Sequence, residues 1–280
     1  MVKKKSVKTV KTVKRSLIPA PDDIFEPSDV FLDYWTVIHG TSGIGKSSFI
    51  LSIPEAILLQ FEPARRNLRG RKPIEFRPRT VEELDRGEQC PWTLFLEVLA
   101  ELETDTSVKV VGIDNIQELY KCCEAAKLLE LGLESVPMKD FGATRGLINK
   151  LFENTLNNLK YDSRLGAVFT CHTVEREGEL NTGTTDTVYR PAVTSAVFDY
   201  LKKAMDFAFY FGYHDKKRAI HCRWDSIWTK CGVDGRFCTP KGTPLNAFAI
   251  PEDPKSWYPT LEKAWNNKLK GIVVSQSTDE

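Results

Sequence analysis

Apolar runs recur along the chain, and each closes on a small or polar residue. Trp35-Thr-Val-Ile-His39 leads into Gly40, Ala56-Ile-Leu-Leu-Gln-Phe61 into Glu62, and Val108-Lys-Val-Val-Gly-Ile113 into Asp114. Leu165-Gly-Ala-Val-Phe-Thr-Cys171 leads into His172. Runs this continuous, without apolar–polar alternation, belong to strands covered on both faces. Between them the apolar residues switch to helical spacing. Residues 81–104 read as helix interrupted near Gly87–Pro91, with Trp92, Phe95, Leu96, Leu99 and Leu102 facing a core. Two helices are predicted over 116–134 and 140–161, parted by Gly132 and Pro137, with Asp140 as an N-cap. Ile74–Phe76 reads as a short strand, 173–192 as a long polar Gly/Thr-rich loop, and 194–204 as helix. A strand over 206–213 returns antiparallel over 218–224 after the turn at 214–217. Strands alternating with helices predict an α/β fold. Its sheet is mainly parallel, with helices on both faces and antiparallel strands at one edge. Pro19, Pro21 and Pro27 make 1–34 a tail and linker, and 35–250 forms the core. Pro251, Pro254 and Pro259 mark 251–280 as a C-terminal tail with a short helix over 260–269.

The first run opens onto Gly40-Thr41-Ser42-Gly43-Ile44-Gly45-Lys46-Ser47, followed by Ser48. This fits the phosphate-cradling pattern G-x-x-x-x-G-K-[ST]. Its glycines permit tight, partly left-handed turns that a Cβ disfavours. Successive N–H groups then converge as an anion nest at a helix N-terminus. Lys46 would reach the β- and γ-phosphates, and the Ser47 hydroxyl would join a Mg²⁺ ion. A strand before and a short helix after, stopped by Pro54, supply the required context.

Asp114 closes a buried strand and would lie at the carboxyl edge of the sheet, where a carboxylate can hold Mg²⁺. It could also cap the helix beginning near Ile116. Asn115 stands where AAA+ motors and many other ATPases carry the Glu that activates water, which disfavours a AAA+ motor. Glu62 is the best-placed replacement and Glu118 the fallback. His172, at the end of the next strand, is placed to touch the γ-phosphate or its water.

Composition narrows the setting. A hydrophobic fraction of 41% in 280 residues is ordinary for a soluble globular chain. No run of ~18 apolar residues is present, so no membrane span is expected, and the basic start lacks the apolar stretch of a secretory leader. Seven cysteines without paired spacing fit reduced thiols in a cytoplasm. His221, Cys222, Cys231 and Cys238 lack the close cysteine pair of a zinc site and read as buried or edge thiols and histidine. Net charge is +1, yet residues 1–15 carry seven cations and no acid. That leader suits a polyanion, with a solvated tail as the alternative. A second basic run spans 65–79 (Arg65, Arg66, Arg69, Arg71, Lys72, Arg77 and Arg79 against Glu75) and reads as a phosphate-binding, subunit-contact or solvated segment. Trp224, Trp228 and Phe237 could stack on bases, although packing is the commoner use of such residues.

The order of P-loop, strand with Glu62, strand with Asp114, and strand with His172 resembles the RecA-like P-loop NTPase core. It is most similar to small phage ATPases that accompany recombination and single-strand annealing. The resemblance rests on 45–54 through Glu62, on 110–120, on Lys139-Asp-Phe-Gly142, and on Arg190-Pro191 with Asp206. It covers roughly 35–240. It implies ATP hydrolysis with Mg²⁺, coupled to single-stranded DNA in a ring or filament of identical subunits in the cytoplasm, with a single-strand-binding protein as a possible partner. It also implies that Glu62 activates water, that His172 senses the γ-phosphate, that 173–192 lines the DNA path, and that a neighbouring subunit contributes a cation, for which Lys230 and Arg236 are candidates. A nucleotide or small-molecule kinase is the alternative enzyme, with 65–79 as its lid. A nucleotide-dependent assembly protein with little hydrolysis is the third reading.

Overall fold

The structure, a computed structural model, describes residues 28–62, 68, 70–179, 185–224, 226–269 and 273–274. The leader 1–15, most of the 16–34 linker, and Arg65, Arg66 and Arg69 of the basic run lie outside the described residues.

A 3-10 turn at Phe31–Asp33 precedes β1 (Thr36–Gly40), α1 (Lys46–Ser52), β2 (Ala56–Gln60) and β3 (Ile74–Glu75). Then come α2 (Val81–Asp85), α3 (Pro91–Thr104), β4 (Val110–Asp114), α4 (Ile116–Glu130) and α5 (Phe141–Asp162). The chain continues through β5 (Gly166–Glu179), β6 (Thr185–Pro191), α6 (Ser195–Ala204), β7 (Phe207–His214) and β8 (Lys217–His221). It closes with β9 (Lys230–Cys231), β10 (Ala247–Ala249), a 3-10 turn at Pro254–Ser256, α7 (Trp257–Trp265) and β11 (Val273–Val274).

These strands form one sheet in the order β11-β10-β8-β7-β1-β5-β4-β2-β3. From β3 across to β7 the pairings are parallel, and beyond β7 they are antiparallel. β5 therefore separates the P-loop strand β1 from β4, which ends in Asp114. Every residue of β1, β2 and β4 is buried, as two-sided burial demands. The period of two sorts their side chains onto opposite faces. Ile57, Leu59, Val111, Ile113 and Phe169 pack with α3, α4, α5 and α6, whereas Ile38, Leu58, Val110, Val168 and Phe209 pack with α1 and α7.

Several local expectations are changed. The interruption near Gly87–Pro91 separates α2 from α3: Gly87 takes φ +87° and Pro91 opens α3, where its missing N–H costs no helical bond. Leu96, expected inside, is 39% exposed because α3 turns that side to solvent. Residues 173–192 are mostly a ribbon rather than a loop. β5 runs on past the sheet and pairs antiparallel with β6, from Thr173 opposite Pro191 to Glu179 opposite Thr185. The C-terminal helix begins earlier, at Trp257, and is part of the core. Trp257, Tyr258, Leu261, Ala264 and Trp265 are buried against the α1 face, and the Tyr258 N–H donates to Ser52 Oγ at 3.2 Å. Phe237 is wholly buried in the same cluster, which takes it out of contention for base stacking.

Replacing Trp257 with Ala leaves a large void between α7 and α1. The expected loss is about 3–5 kcal/mol in equilibrium urea unfolding.

Candidate nucleotide-binding site

The strands β1, β2 and β4 end at one edge, where β5 passes on beyond them at His172. Gly40 lies opposite His172, and Gln60 opposite Asp114. The Phe61 N–H donates to the Asp114 carbonyl at 2.6 Å, which fixes the chain leading into Glu62. A cleft of about 220 Å³ opens between these ends, lined by Gly43, Lys46, Ser47, Glu62, Asp114 and His172 among others.

The loop between β1 and α1 has the backbone the motif requires. Gly43 and Gly45 take φ +81° and +111°, a region L-residues with a Cβ rarely adopt. Gly45 has a second reason to be glycine: a Cβ there would lie 2.6 Å from the Trp257 ring. Thr41, Ser42 and Gly43 are exposed, Ile44 is buried as the loop's anchor, and Ser48 lines the cleft. Lys46 is only 7% exposed, and its Nζ donates to the carbonyls of Gly40 (2.9 Å) and Thr41 (3.0 Å).

Asp114 receives two hydroxyl donors, Ser47 Oγ on Oδ2 and Thr170 Oγ1 on Oδ1, the latter at 2.5 Å. It is 4% exposed and does not cap α4. Asn115 does so instead, with Oδ1 accepting the Glu118 N–H at 2.9 Å. Ser47 and Asp114 bring a hydroxyl and a carboxylate oxygen into contact at the mouth of the anion nest, an all-oxygen set that suits Mg²⁺.

The Glu62 carboxylate projects into the cleft and accepts two bonds on Oε1, from Asn115 Nδ2 and from His172 Nε2 at 2.8 Å. Because a carboxylate only accepts, His172 carries its proton on Nε2. Glu118, the fallback, is turned to Lys121 at 2.7 Å and does not line the cleft.

Lys230 and Arg236 lie elsewhere. β9 pairs with the first residues of β7, which lie level with Thr36, the opposite end of β1 from the P-loop. Lys230 Nζ donates to the Met205 carbonyl at 2.5 Å and to that of Lys202 at 3.2 Å, at the end of α6. Arg236 stacks over Trp265 at 4.5 Å and pairs with Asp29. A neighbouring subunit would draw on either cation only at the cost of these contacts. Among the described residues no group of three or more His, Cys, Asp or Glu could hold a metal ion. Cys222, Cys231 and Cys238 are free thiols.

Two participants escape sequence reasoning. Thr170 is one polar residue inside an apolar strand, and only the parallel pairing of β4 with β5 sets it against Asp114. His39 is fully buried beside the P-loop. Its Nε2 donates to the Trp228 carbonyl at 2.8 Å, so Nδ1 accepts from Thr173 Oγ1 at 3.0 Å. Burial pushes its pKa down to about 4; the Trp228 carbonyl opposes this and Lys46 reinforces it.

Two outcomes are expected. Thr170→Val removes one donor to Asp114 at nearly constant shape, and nucleoside-triphosphate turnover should then need ~10–100-fold more Mg²⁺, read in a Mg²⁺ titration. His39 stays neutral in the fold at pH values where the unfolded chain protonates it. Its contribution is whole above about 6.5 and is lost as pH falls towards about 4. Melting temperature should therefore drop more steeply from pH 7 to pH 5 in the native chain than in His39→Gln.

Among curated proteins no match to the chain is found. A family model described as an AAA domain matches residues 33–245. That stretch runs from the residues before β1 through the P-loop, Glu62, Asp114 and His172 to the end of the loop before β10. Asn115 is no obstacle to membership, because a carboxylate reaches the cleft from the end of β2. With the P-loop, the contact of Ser47 with Asp114 and the parallel sheet inside the matched range, the chain belongs to the AAA domain family and carries a P-loop ATPase-type domain.

Proposed function

We propose that the protein is a RecA-like, Mg²⁺-dependent ATPase acting on single-stranded DNA in recombination, annealing or repair of the phage type. The observation that carries this reading is the continuity of β5. His172, bonded to Glu62 in the cleft, is followed at once by Thr173, the first residue of the ribbon. The nucleotide site and the ribbon thus share one strand.

In this reading the P-loop N–H groups from Gly40 to Ser48 hold the phosphates, and Lys46 leaves the Gly40 and Thr41 carbonyls for the β/γ-phosphate oxygens. Ser47 and Asp114 hold Mg²⁺, which neutralises charge developing on the phosphates. Glu62 orients the attacking water and takes its proton, and His172 fixes the carboxylate and registers the γ-phosphate.

The ribbon carries four acids against two arginines, and the surface for the polyanion is the cleft where those two arginines meet α6. Arg176 and Arg190 line a cleft of about 460 Å³ with Thr194, Ser195, Phe198 and Lys202, the last paired with Asp199 at 2.7 Å. The Arg190 guanidinium lies 5.4 Å from the Phe198 ring centroid and the Lys202 amine 5.1 Å from it. Cations interleaved with an aromatic face suit a flexible phosphate backbone and its bases. Trp228 packs against Phe198, 5.1 Å between centroids. Assembly as a homo-oligomeric ring or filament, and a single-strand-binding protein as partner, belong to the same proposal. The kinase alternative gains no support from the described part of 65–79, where Arg77 and Arg79 pair with Glu83 and Glu88. Among the described residues no helix is long and apolar enough to cross a membrane.

Single-stranded DNA should raise ATP turnover, and Lys46→Ala should abolish it. DNA affinity should fall steeply with salt, and Arg176→Ala with Arg190→Ala should reduce that log–log slope by roughly 1–2. Turnover indifferent to DNA at low salt overturns the DNA assignment.

A further inference from the structure

Asn115 takes the place of the usual Glu, but both ends of its side chain are engaged. Oδ1 accepts the Glu118 N–H at 2.9 Å and caps α4, and Nδ2 donates to Glu62 Oε1. The two partners leave no freedom to flip the amide: a backbone N–H only donates and a carboxylate only accepts. The residue is 3% exposed, so the donor end of the bond is shielded from water, while the Glu62 side chain opens onto the cleft. A donor held to an ionised carboxylate in such a place is strong and directional.

The position asks for three properties at once. It must cap a helix through an acceptor, reach across to β2, and present a donor there. Ser and Thr are good caps but too short to reach Glu62 as well. Asp caps and reaches but would set a carboxylate against a carboxylate. Asn alone among the favoured capping residues meets all three demands.

We infer that Asn115 is a positioning residue for Glu62. It locks the carboxylate from the β4 side while His172 holds it from the β5 side, so that Glu62 stands in the cleft before nucleotide arrives. The side chain it restrains has three rotatable bonds and stands beyond the last residue of β2. Without Asn115 one of its anchors is gone. This inference rests on Glu62 being the group that orients water.

The test uses the full chain and three readouts: ATP turnover at saturation, affinity for a fluorescent ATP analogue, and melting temperature. Asn115→Ser and Asn115→Asp both keep the helix cap. Asn115→Ser should melt within a few degrees of the native chain and bind the analogue within about twofold, Asn115→Asp should melt lower because it sets a second carboxylate against Glu62, and kcat should fall ~10–100-fold in both. The isosteric Asn115→Asp carries the test alone if Asn115→Ser does not fold. Combining Asn115→Ser with Glu62→Gln should be no slower than Glu62→Gln by itself, because both changes remove the same function. Native kcat in Asn115→Asp, or losses that add in the double variant, overturns the inference while leaving Glu62 in its role. Native turnover in Glu62→Gln removes the Glu62 assignment and this inference with it.

Discussion

Asp114 ties the carboxyl edge of the sheet together. Its main-chain carbonyl receives the Phe61 N–H, which sets the exit of β2. Its carboxylate receives Ser47 at the start of α1 and Thr170 from β5. One residue therefore fixes the positions of three neighbouring segments, and all of them face the cleft. A buried carboxylate needs such donors, because the cost of removing it from water is met only by charge-assisted bonds. The two hydroxyls also keep both oxygens ordered beside the P-loop. The crevice at the strand ends is where open parallel sheets generally place their ligands.

How much of this is legible in the sequence depends on burial. The central strands cannot be missed, since two-sided covering leaves them continuously apolar and their terminating residues, Glu62, Asp114 and His172, stand out by contrast. Gly43, Gly45 and Lys46 are legible because the phosphate nest tolerates few alternatives. The ribbon is not legible, because Thr185-Asp-Thr-Val-Tyr-Arg-Pro191 carries no apolar stripe to distinguish strand from loop. Thr170 and Asn115 are hidden for another reason. Their partners lie on other strands, and only the register of β4 against β5 and β2 brings them together. The early start of α7 at Trp257 is masked by the prolines around it, one of which stands inside the helix's first turn.

The family match ends at 245, yet α7 lies beyond it and touches the P-loop. Trp257 packs against Gly45 on one side and Phe211 on another, 5.4 Å between ring centroids, and its indole N–H is held by the Pro251 carbonyl at 2.7 Å. A rigid aromatic wall behind the nest restrains a loop that has little of its own side-chain packing. The nest is thus built from the middle of the chain but braced from its end.

The uninterrupted course of β5 has a mechanical meaning. A disordered loop beyond His172 would absorb small movements of the strand end, whereas a paired ribbon behaves as a lever. From His172 to Glu179 the strand extends roughly 23 Å at about 3.3 Å per residue. A tilt of ~10° at the fulcrum therefore sweeps its far end through about 4 Å, comparable with the spacing of neighbouring strands. A small adjustment at the His172 end of the strand would thus be enlarged along the ribbon before it reached the far end.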